Sequence, residues 1–135
     1  MKYFFKTFIE IKLILLFIIN YFPGYIGIIL RRLTYKLLFK KLGKRFTTDI
    51  GFKTNCSSNI KLGDNASFMR GCSINSCDGT IKIGNNISVN QNVDINASDG
   101  GEIKIGDDVL IGNNVIIRAA NHIYKDDVEE IIVTR

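Results

Sequence analysis

Three near-identical phrases, Ile60-Lys61-Leu62-Gly63, Ile81-Lys82-Ile83-Gly84 and Ile103-Lys104-Ile105-Gly106, stand in the middle of this chain of 135 residues. Successive copies begin 21 and 22 residues apart. A finer period of six runs through each copy, and its apolar markers are Leu62, Phe68 and Ile74, then Ile83, Val89 and Ile95, then Ile105, Ile111 and Ile117. A fixed period of this kind is typical of a solenoid, in which each unit stacks on its neighbours.

The residues between the apolar markers indicate how the chain bends. Several hexads have Gly second and Asn or Asp third and fourth, as in Ile111-Gly112-Asn113-Asn114. Gly, Asn and Asp tolerate the left-handed backbone that a sharp bend requires, and aliphatic residues suit the inward side of a short strand. We therefore predict a mainly β fold, a triangular parallel β-helix of about 3.5 coils whose first, partial coil starts near Ile50. The alternative, an antiparallel sandwich, would show two-residue alternation and loops of variable length.

Residues 1–45 are predicted to form a separate, basic helical arm. They contain ten Lys or Arg and one acid, Glu10, whereas the rest of the chain contains eight basic and twelve acidic residues. Two helices, at residues 4–20 and 25–42, are expected to meet at Pro23-Gly24, because proline interrupts a helix. Gly43 is placed as the stop of the second helix.

The second helix is predicted to be amphipathic. Its apolar side would hold Ile26, Ile29, Leu30, Leu33, Leu37 and Leu38, and its cationic side Arg31, Arg32, Lys36, Lys40 and Lys41. Such a helix lies in the headgroup layer of a membrane, so we expect peripheral binding to the inner face of the cytoplasmic membrane through residues 1–45. Residues 13–30 carry no charge, which leaves a membrane span as an alternative. Capping of one end of the solenoid, or packing in an oligomer, is another.

The cysteines and the single histidine bear on compartment and on metals. Cys56, Cys72 and Cys77 have no metal or redox spacing, and an odd count without a secretory cleavage signature indicates a reducing, cytoplasmic setting. Cys56 and Cys72 fall on inward positions and are expected to behave as small core hydrophobes. One histidine and no paired cysteines argue against a zinc site. The solenoid has no basic and aromatic stripe for nucleic acid.

The repeats and the residues after them resemble a known family. The hexads, the Ala120-Asn121-His122 tail and the acidic Asp126-Asp127 are similar to the hexapeptide-repeat acyltransferases, in the branch of maltose, galactoside and polysaccharide O-acetyltransferases. The arm, through Pro23-Gly24 and residues 31–33 and 40–43, resembles the entry segment of the polysaccharide subgroup. The resemblance implies a left-handed β-helix over residues 46–122, an active-site loop beginning at residues 123–135, and a homotrimer.

The resemblance also implies a reaction and its residues. His122 is the only histidine, and at the edge of a coil it would be exposed and titratable, which suits a general base. In the family the matching histidine takes the proton of a sugar hydroxyl, which then attacks acetyl-CoA. Asn92, thirty residues earlier, matches an asparagine that contacts the acceptor or the oxyanion. Asp94 interrupts the aliphatic Val93 and Ile95, so it is expected to point outward beside Asn92.

Some alternatives stay open at this stage. Relatives continue for several more coils, so the chain is expected to be a fragment of a longer protein, with most of the acetyl-CoA groove beyond residue 135; the alternative is a truncated gene product. The acceptor would be a sugar of a surface polysaccharide or a lipid-linked glycan. The other readings are a serine or aminosugar N-acyltransferase on the same fold, and a non-catalytic solenoid that serves as a membrane-attached assembly or an ice-binding surface.

Overall fold

Two helices and a parallel β-solenoid make up the fold. It is known from a computed structural model, which describes residues 2–120. The helices are α1, Lys2–Tyr21, and α2, Gly24–Leu38. The strands that follow are β1 Lys41–Leu42, β2 Thr47–Thr48, β3 Ile60–Leu62, β4 Ala66–Phe68, β5 Ser73–Asn75, β6 Thr80–Ile83, β7 Ile87–Val89, β8 Asp94–Ser98, β9 Glu102–Ile105, β10 Leu110–Ile111 and β11 Ile116–Ala120. The predicted mainly β fold with an N-terminal helical arm is confirmed.

The strands form three sheets, one for each face of the solenoid. Sheet A has the order β1-β3-β6-β9, sheet B the order β10-β7-β4-β2, and sheet C the order β11-β8-β5. Every pairing between these strands is parallel. Each coil gives one strand to each sheet, except that the first coil reaches sheet C only through a bridge between Lys53 and Ser73. The left-handed sense of the coils stays a prediction.

The solenoid has about four coils, because its first coil begins earlier than the sequence suggested. Strand β1 pairs with β3, with Lys41 opposite Lys61, so the coil starts at Lys41 and not near Ile50. Helix α2 accordingly ends at Leu38, and the expectation that Gly43 stops it is wrong. Gly43 instead follows β1, and its amide donates to the Leu62 carbonyl at 3.0 Å, as part of the first corner of the coil.

The predicted six-residue period places the apolar markers inside the coils. Stacked columns of these markers run from coil to coil through Leu62, Ile83 and Ile105, through Phe68, Val89 and Ile111, and through Ile74, Ile95 and Ile117. The first coil differs because its interior is aromatic. Phe46 and Phe52 are fully buried there, with ring centroids 6.1 Å apart, and both pack on Phe68 of the second coil. These rings fill the end of the solenoid that faces α2.

Asn and Asp recur at the corners for two physical reasons. Asn65, Asn86 and Asp108 occupy the same corner of successive coils with φ of 57°, 56° and 58°, a region that Asn and Asp tolerate better than most residues. Their side chains also form a ladder. The Asn65 amide donates to Asn86 Oδ1 at 2.7 Å, and the Asn86 amide donates to Asp108 Oδ1 at 2.8 Å. The corner residues therefore both allow the bend and join one coil to the next.

Two of the cysteines form a bridge, which corrects the prediction for one of them. Cys56 and Cys77 are disulfide-bonded with their Cα atoms 5.1 Å apart, so Cys56 is not a free core hydrophobe. The two residues stand above one another in adjacent coils, a relation that the odd cysteine count concealed. Disulfides are most common in oxidising compartments, whereas the odd cysteine count favoured a reducing one, and the cytoplasmic setting stays a prediction. Cys72 is fully buried and free, as predicted, and burial raises the pKa of its thiol.

The close stacking of coils predicts a specific effect at Gly63. A Cβ there would lie 2.5 Å from the Gly84 carbonyl oxygen, and this oxygen belongs to a corner that the sheets hold in place. We expect Gly63→Ala to lower the free energy of unfolding by about 1–3 kcal/mol, measured by denaturant titration. Gly106→Ala is the matched control, because no atom lies within 4 Å of a Cβ at Gly106. Equal losses in both variants would contradict this account of the corner.

The disulfide predicts both a thiol count and a stability change. In denaturant, the oxidised chain should show one reactive thiol, Cys72, and three after reduction. Replacing Cys56 by Ser should cost about 3 kcal/mol of stability, because the bridge closes a loop between residues 21 apart. Cys77→Ser should cost the same, and the double variant no more than either single one. Three reactive thiols before reduction would rule out the bridge.

Candidate functional site

The outer face of sheet C is the candidate acceptor surface. It carries Asp94, and the last strand of this sheet, β11, ends two residues before His122 in the sequence. Its outward side chains are Ser73, Asn75, Asp94, Asn96, Ser98 and Arg118, together with Ile116 and Ala120. They point outward because Ile74, Ile95 and Ala97, the alternate residues of β5 and β8, are fully buried. Hydroxyl, amide, carboxylate and guanidinium groups on one flat surface are suited to hydrogen-bonding a polyhydroxylated ligand.

Asp94 is held from both neighbouring coils. The Ser73 hydroxyl donates to Asp94 Oδ1, and Arg118 Nη2 donates to Oδ2 at 3.3 Å. The Asp94 side chain is 26% exposed and that of Arg118 is 67% exposed. The expected outward direction of Asp94 is confirmed by these contacts. Its carboxylate is therefore oriented by the fold, and one side of it is open to solvent.

Sequence reasoning did not identify Ser73 and Arg118 as partners of Asp94. Ser73 lies opposite Asp94 in the parallel register, 21 residues earlier. Arg118 lies 24 residues later, opposite Asn96, and reaches diagonally across the sheet. An alignment of the repeats would have found Ser73 directly. Arg118 would have required the additional rule that diagonal neighbours on one face are within reach of long side chains.

Asn92 lies at a corner and not on the flat face. It has φ of 57° in the turn before β8, in the column that also holds Gly51, Gly71 and Asn114. Its side-chain amide donates to Asn114 Oδ1 at 3.3 Å, and its backbone amide donates to the Arg70 carbonyl at 3.0 Å. Asn92 therefore forms part of the turn and bonds to the next coil, whereas Asp94 is the first residue of the strand that follows. No hydrogen bond joins these two side chains.

His122 lies outside the described residues. Strand β11, the last described strand, ends at Ala120 opposite Ser98 of β8. The sequence continues with Asn121 and His122. The position of the predicted base relative to Asp94 is therefore not given by this structure, and its role stays a prediction. The predicted active-site loop at residues 123–135 lies outside the described residues as well.

The arm is attached to the solenoid by Arg31, which was expected on the cationic side of α2. This expectation is wrong, because Arg31 is only 1% exposed. Its Nη1 donates to the carbonyl of Phe22 at 2.8 Å and lies 3.3 Å from that of Ile19, while Nε donates to the Thr48 carbonyl at 3.1 Å. The last carbonyls of a helix lack partners and carry partial negative charge. One guanidinium thus caps α1 and fastens both helices to the first coil.

Tyr35 reinforces this joint. It is 1% exposed and packs on Phe39, Phe46 and Phe52 with ring centroids 5.0 to 6.2 Å apart. Its hydroxyl donates to Asn20 Oδ1 at 2.7 Å, which joins α2 to the end of α1. Burial raises the pKa of Tyr35 to about 12, although the hydrogen bond to Asn20 acts in the opposite direction. The predicted capping of one end of the solenoid is confirmed for this inner face of α2.

The outer face of α2 is unlike the predicted one. The buried residues of α2 are Gly27, Arg31 and Tyr35, and they form the face that contacts the rest of the protein. Most of the residues that were predicted to form a separate apolar side are therefore exposed to solvent. Ile26, Ile29, Leu33 and Leu37 are 40–87% exposed, on the same side as the exposed Arg32 and Lys36. Only Leu30 and Leu38 of the predicted apolar set are half-buried.

Two of the clefts on the described surface lie beside features already named. One of about 440 Å³ lies beside the disulfide and is lined by polar groups, among them Asn55, Ser58 and Asn59. The other, of about 330 Å³, lies where α2 meets the first corner, and its lining is Ile29, Arg32, Leu33, Lys36, Leu42, Gly43 and Lys44. Neither cleft includes Asn92 or Asp94. Within residues 2–120 no group of His, Cys, Asp and Glu could hold a metal ion.

Comparison with known proteins adds no identification. No family model, no curated protein and no solved structure matches this chain. Within residues 2–120 no helix is long and apolar enough to cross a bilayer.

The buried hydroxyl of Tyr35 predicts a late titration. The folded pKa of about 12 lies above the ordinary value of 10.0, so the stabilisation from the neutral phenol is present below pH 10 and is lost as the pH rises toward 12. Phenolate absorbance of the folded protein should show a late component that belongs to Tyr35. Tyr35→Phe should remove it. The control Tyr25→Phe, at a residue 76% exposed, should leave the late component in place. A late component that persists in Tyr35→Phe would contradict this assignment.

Proposed function

We propose that the protein is an O-acetyltransferase that moves an acetyl group from acetyl-CoA to a sugar hydroxyl, with His122 as the general base. The observation that carries the proposal is the polar outer face of sheet C. This face presents Asp94 in a fixed orientation on β8, and β11 beside it runs toward His122 in the sequence. The parallel solenoid agrees with the fold that the hexads and the resemblance imply, and the Ala120-Asn121-His122 tail is the part of the sequence that indicates the enzyme branch.

The proposed reaction needs one base and one oriented acceptor. His122 takes the proton of the sugar hydroxyl, and the hydroxyl oxygen attacks the thioester carbonyl carbon of acetyl-CoA. The carbon–sulfur bond breaks, the ester forms, and the proton passes from the imidazolium to the departing CoA thiolate. Asp94 accepts a hydrogen bond from a neighbouring sugar hydroxyl with the side of its carboxylate that is open to solvent. Asn92 is a weaker acceptor contact, because Asn114 already accepts from its amide.

The remaining elements of the proposal follow from the resemblance. The acceptor is a hydroxyl of a surface polysaccharide or a lipid-linked glycan, and the protein acts as a homotrimer at the cytoplasmic side of the membrane. Acetyl-CoA is the donor substrate, and no described residue is assigned to it.

A non-catalytic solenoid is the second candidate, and one observation favours it. Both Asn92 and Asp94 take part in bonds between coils, which is the role expected of corner and face residues in a purely structural solenoid. In that case the surface of sheet C would bind without reacting. Acetyl transfer by the chain would distinguish the two candidates.

The proposal predicts a loss of turnover on changing two residues. With acetyl-CoA and methyl glycosides of glucose and galactose as probes, formation of acetylated sugar is followed by chromatography. His122→Ala should reduce turnover by about 10²–10⁴-fold, the usual contribution of a general base. Asp94→Asn should raise KM for the sugar more than it lowers kcat, because the residue positions the acceptor and takes no proton.

A matched control for Asp94 is Asp99→Asn, in the next corner. Asp99 has φ of 50°, a conformation that Asn adopts readily, and the residue is exposed. Asp99→Asn should leave both constants unchanged. Unchanged transfer by His122→Ala would remove this residue from the mechanism. Binding of acetyl-CoA by the unaltered chain, measured by calorimetry, without transfer to either glycoside would favour the non-catalytic candidate.

A further inference from the structure

Exposed apolar side chains are concentrated on one part of the molecule. Of the 18 large hydrophobic residues that are exposed in the described chain, fifteen lie between Phe8 and Leu37. The other three, Met69, Leu110 and Ile116, are dispersed over the solenoid. Monomeric proteins rarely expose contiguous apolar patches larger than a few hundred Å², and larger ones mark interaction surfaces. We call the exposed sides of α1 and α2 the apolar surface of the arm.

The fold turns this surface away from its own core by specific contacts. Arg31 and Tyr35 bind the inner face of α2 to α1 and to the first coil through buried hydrogen bonds. Rotating α2 to bury Leu33 and Leu37 would place the Arg31 guanidinium in solvent and leave the carbonyl of Phe22 without its donor. The contacts of Arg31 and Tyr35 therefore hold α2 in the orientation that exposes its apolar residues.

Basic groups border the apolar surface at one defined place. Arg32 and Lys36, four residues apart on α2, and Lys44, from the first corner, line the cleft of about 330 Å³ together with Ile29, Leu33 and Leu42. These three basic residues are exposed and form no ion pair with any described residue. The cleft therefore has unpaired positive side chains next to apolar side chains. This combination suits a ligand in which a phosphate is attached to a hydrocarbon chain.

The charge of the arm decides which occupant fits. Residues 1–45 contain ten basic residues and one acid, and among the basic side chains that the structure describes, Arg31 is the one withdrawn from solvent by the joint. A second copy of this chain would bring a like-charged border against this one, which is unfavourable. An anionic bilayer supplies opposite charge at the headgroups and hydrocarbon beneath them, so it satisfies both parts of the surface.

We propose that the arm docks on anionic phospholipid membranes, with a lipid phosphate held by Arg32, Lys36 and Lys44 and with the apolar surface of α1 and α2 inserted among the acyl chains. The docking does not depend on the acetyl-transfer proposal, because none of these residues belongs to the outer face of sheet C. It attaches the solenoid to the membrane through its first coil, which the joint with α2 closes.

The test is co-flotation of the full chain with lipid vesicles. Vesicles of phosphatidylcholine are compared with vesicles of equal parts phosphatidylcholine and phosphatidylglycerol, at low and at physiological salt. We expect binding to the anionic vesicles, weaker binding at the higher salt, and little binding to phosphatidylcholine alone.

Variants separate the two parts of the site. Replacing Arg32 and Lys36 by Gln should weaken binding to anionic vesicles by about 25-fold, since each basic residue near such a surface contributes roughly fivefold. Replacing Leu33 and Leu37 by Ser should weaken it by at least about tenfold through lost apolar insertion. The matched control replaces Lys61 and Lys104 by Gln, which removes the same charge from the outer face of sheet A. Circular dichroism checks that each variant is folded.

Three outcomes would overturn the proposal. The first is absence of binding to anionic vesicles. The second is an equal loss of binding in the Lys61 and Lys104 control, which would mean that total charge and not the cleft is responsible. The third is self-association of the chain without lipid that disappears on replacing Leu33 and Leu37, because the apolar surface would then be a contact between copies.

Discussion

In-register stacking of coils is the constraint on which the rest of the structure depends. Each strand pairs in parallel with the strand one coil away, so every strand residue meets its counterpart 20 to 22 positions along the chain. Each side chain must therefore pack well against the equivalent side chains of the coils above and below it. Inside the coils this produces columns of aliphatic residues, which bury well against one another. At the corners it produces Asn and Asp ladders, and at Gly63 it leaves no room for a Cβ.

The same constraint brings like charges together on sheet A. Lys41, Lys61, Lys82 and Lys104 stand in one outward column. Like charges directly opposite each other destabilise a sheet. Glu102 offsets this at the last two coils, where its carboxylate lies 2.8 Å from both Lys82 Nζ and Lys104 Nζ. The hydrogen bonds from Lys104 and Lys82 lower the pKa of Glu102 to about 2, so the carboxylate stays charged across the neutral range.

The joint between the arm and the solenoid is held differently, because buried polar groups there fix the orientation of α2. Arg31 loses hydration but gains carbonyl partners that the end of α1 and the first coil leave free. Tyr35 adds an aromatic cap on Phe46 and Phe52. As a result, the solenoid is closed at its first coil by a polar and aromatic contact, and the aliphatic residues of the helices remain available on the outside.

For the candidate site, the sequence repeat predicts which residues point outward, but it does not predict which side chains contact each other. The repeat put Asp94 on an outward position, because Val93 and Ile95 are inward, and the structure has it there. The repeat could not assign Arg118 to Asp94, because that contact crosses the register diagonally. Nor could it show that the amide of Asn92 is engaged by Asn114, since both residues look alike in a chain rich in Asn. The role of His122 rests on the resemblance alone.

The sequence by itself determined the parallel solenoid, its six-residue inward columns and the helical arm, because these depend on local periodicity and on residues that favour or interrupt a helix. Only the tertiary structure decided the start of the first coil at Lys41, the pairing of Cys56 with Cys77 and the direction in which α2 faces. Each of these depends on contacts between distant segments. The orientation of α2 is the clearest case, because an apolar stripe marks the face that avoids water but does not say whether that face meets the core or another surface.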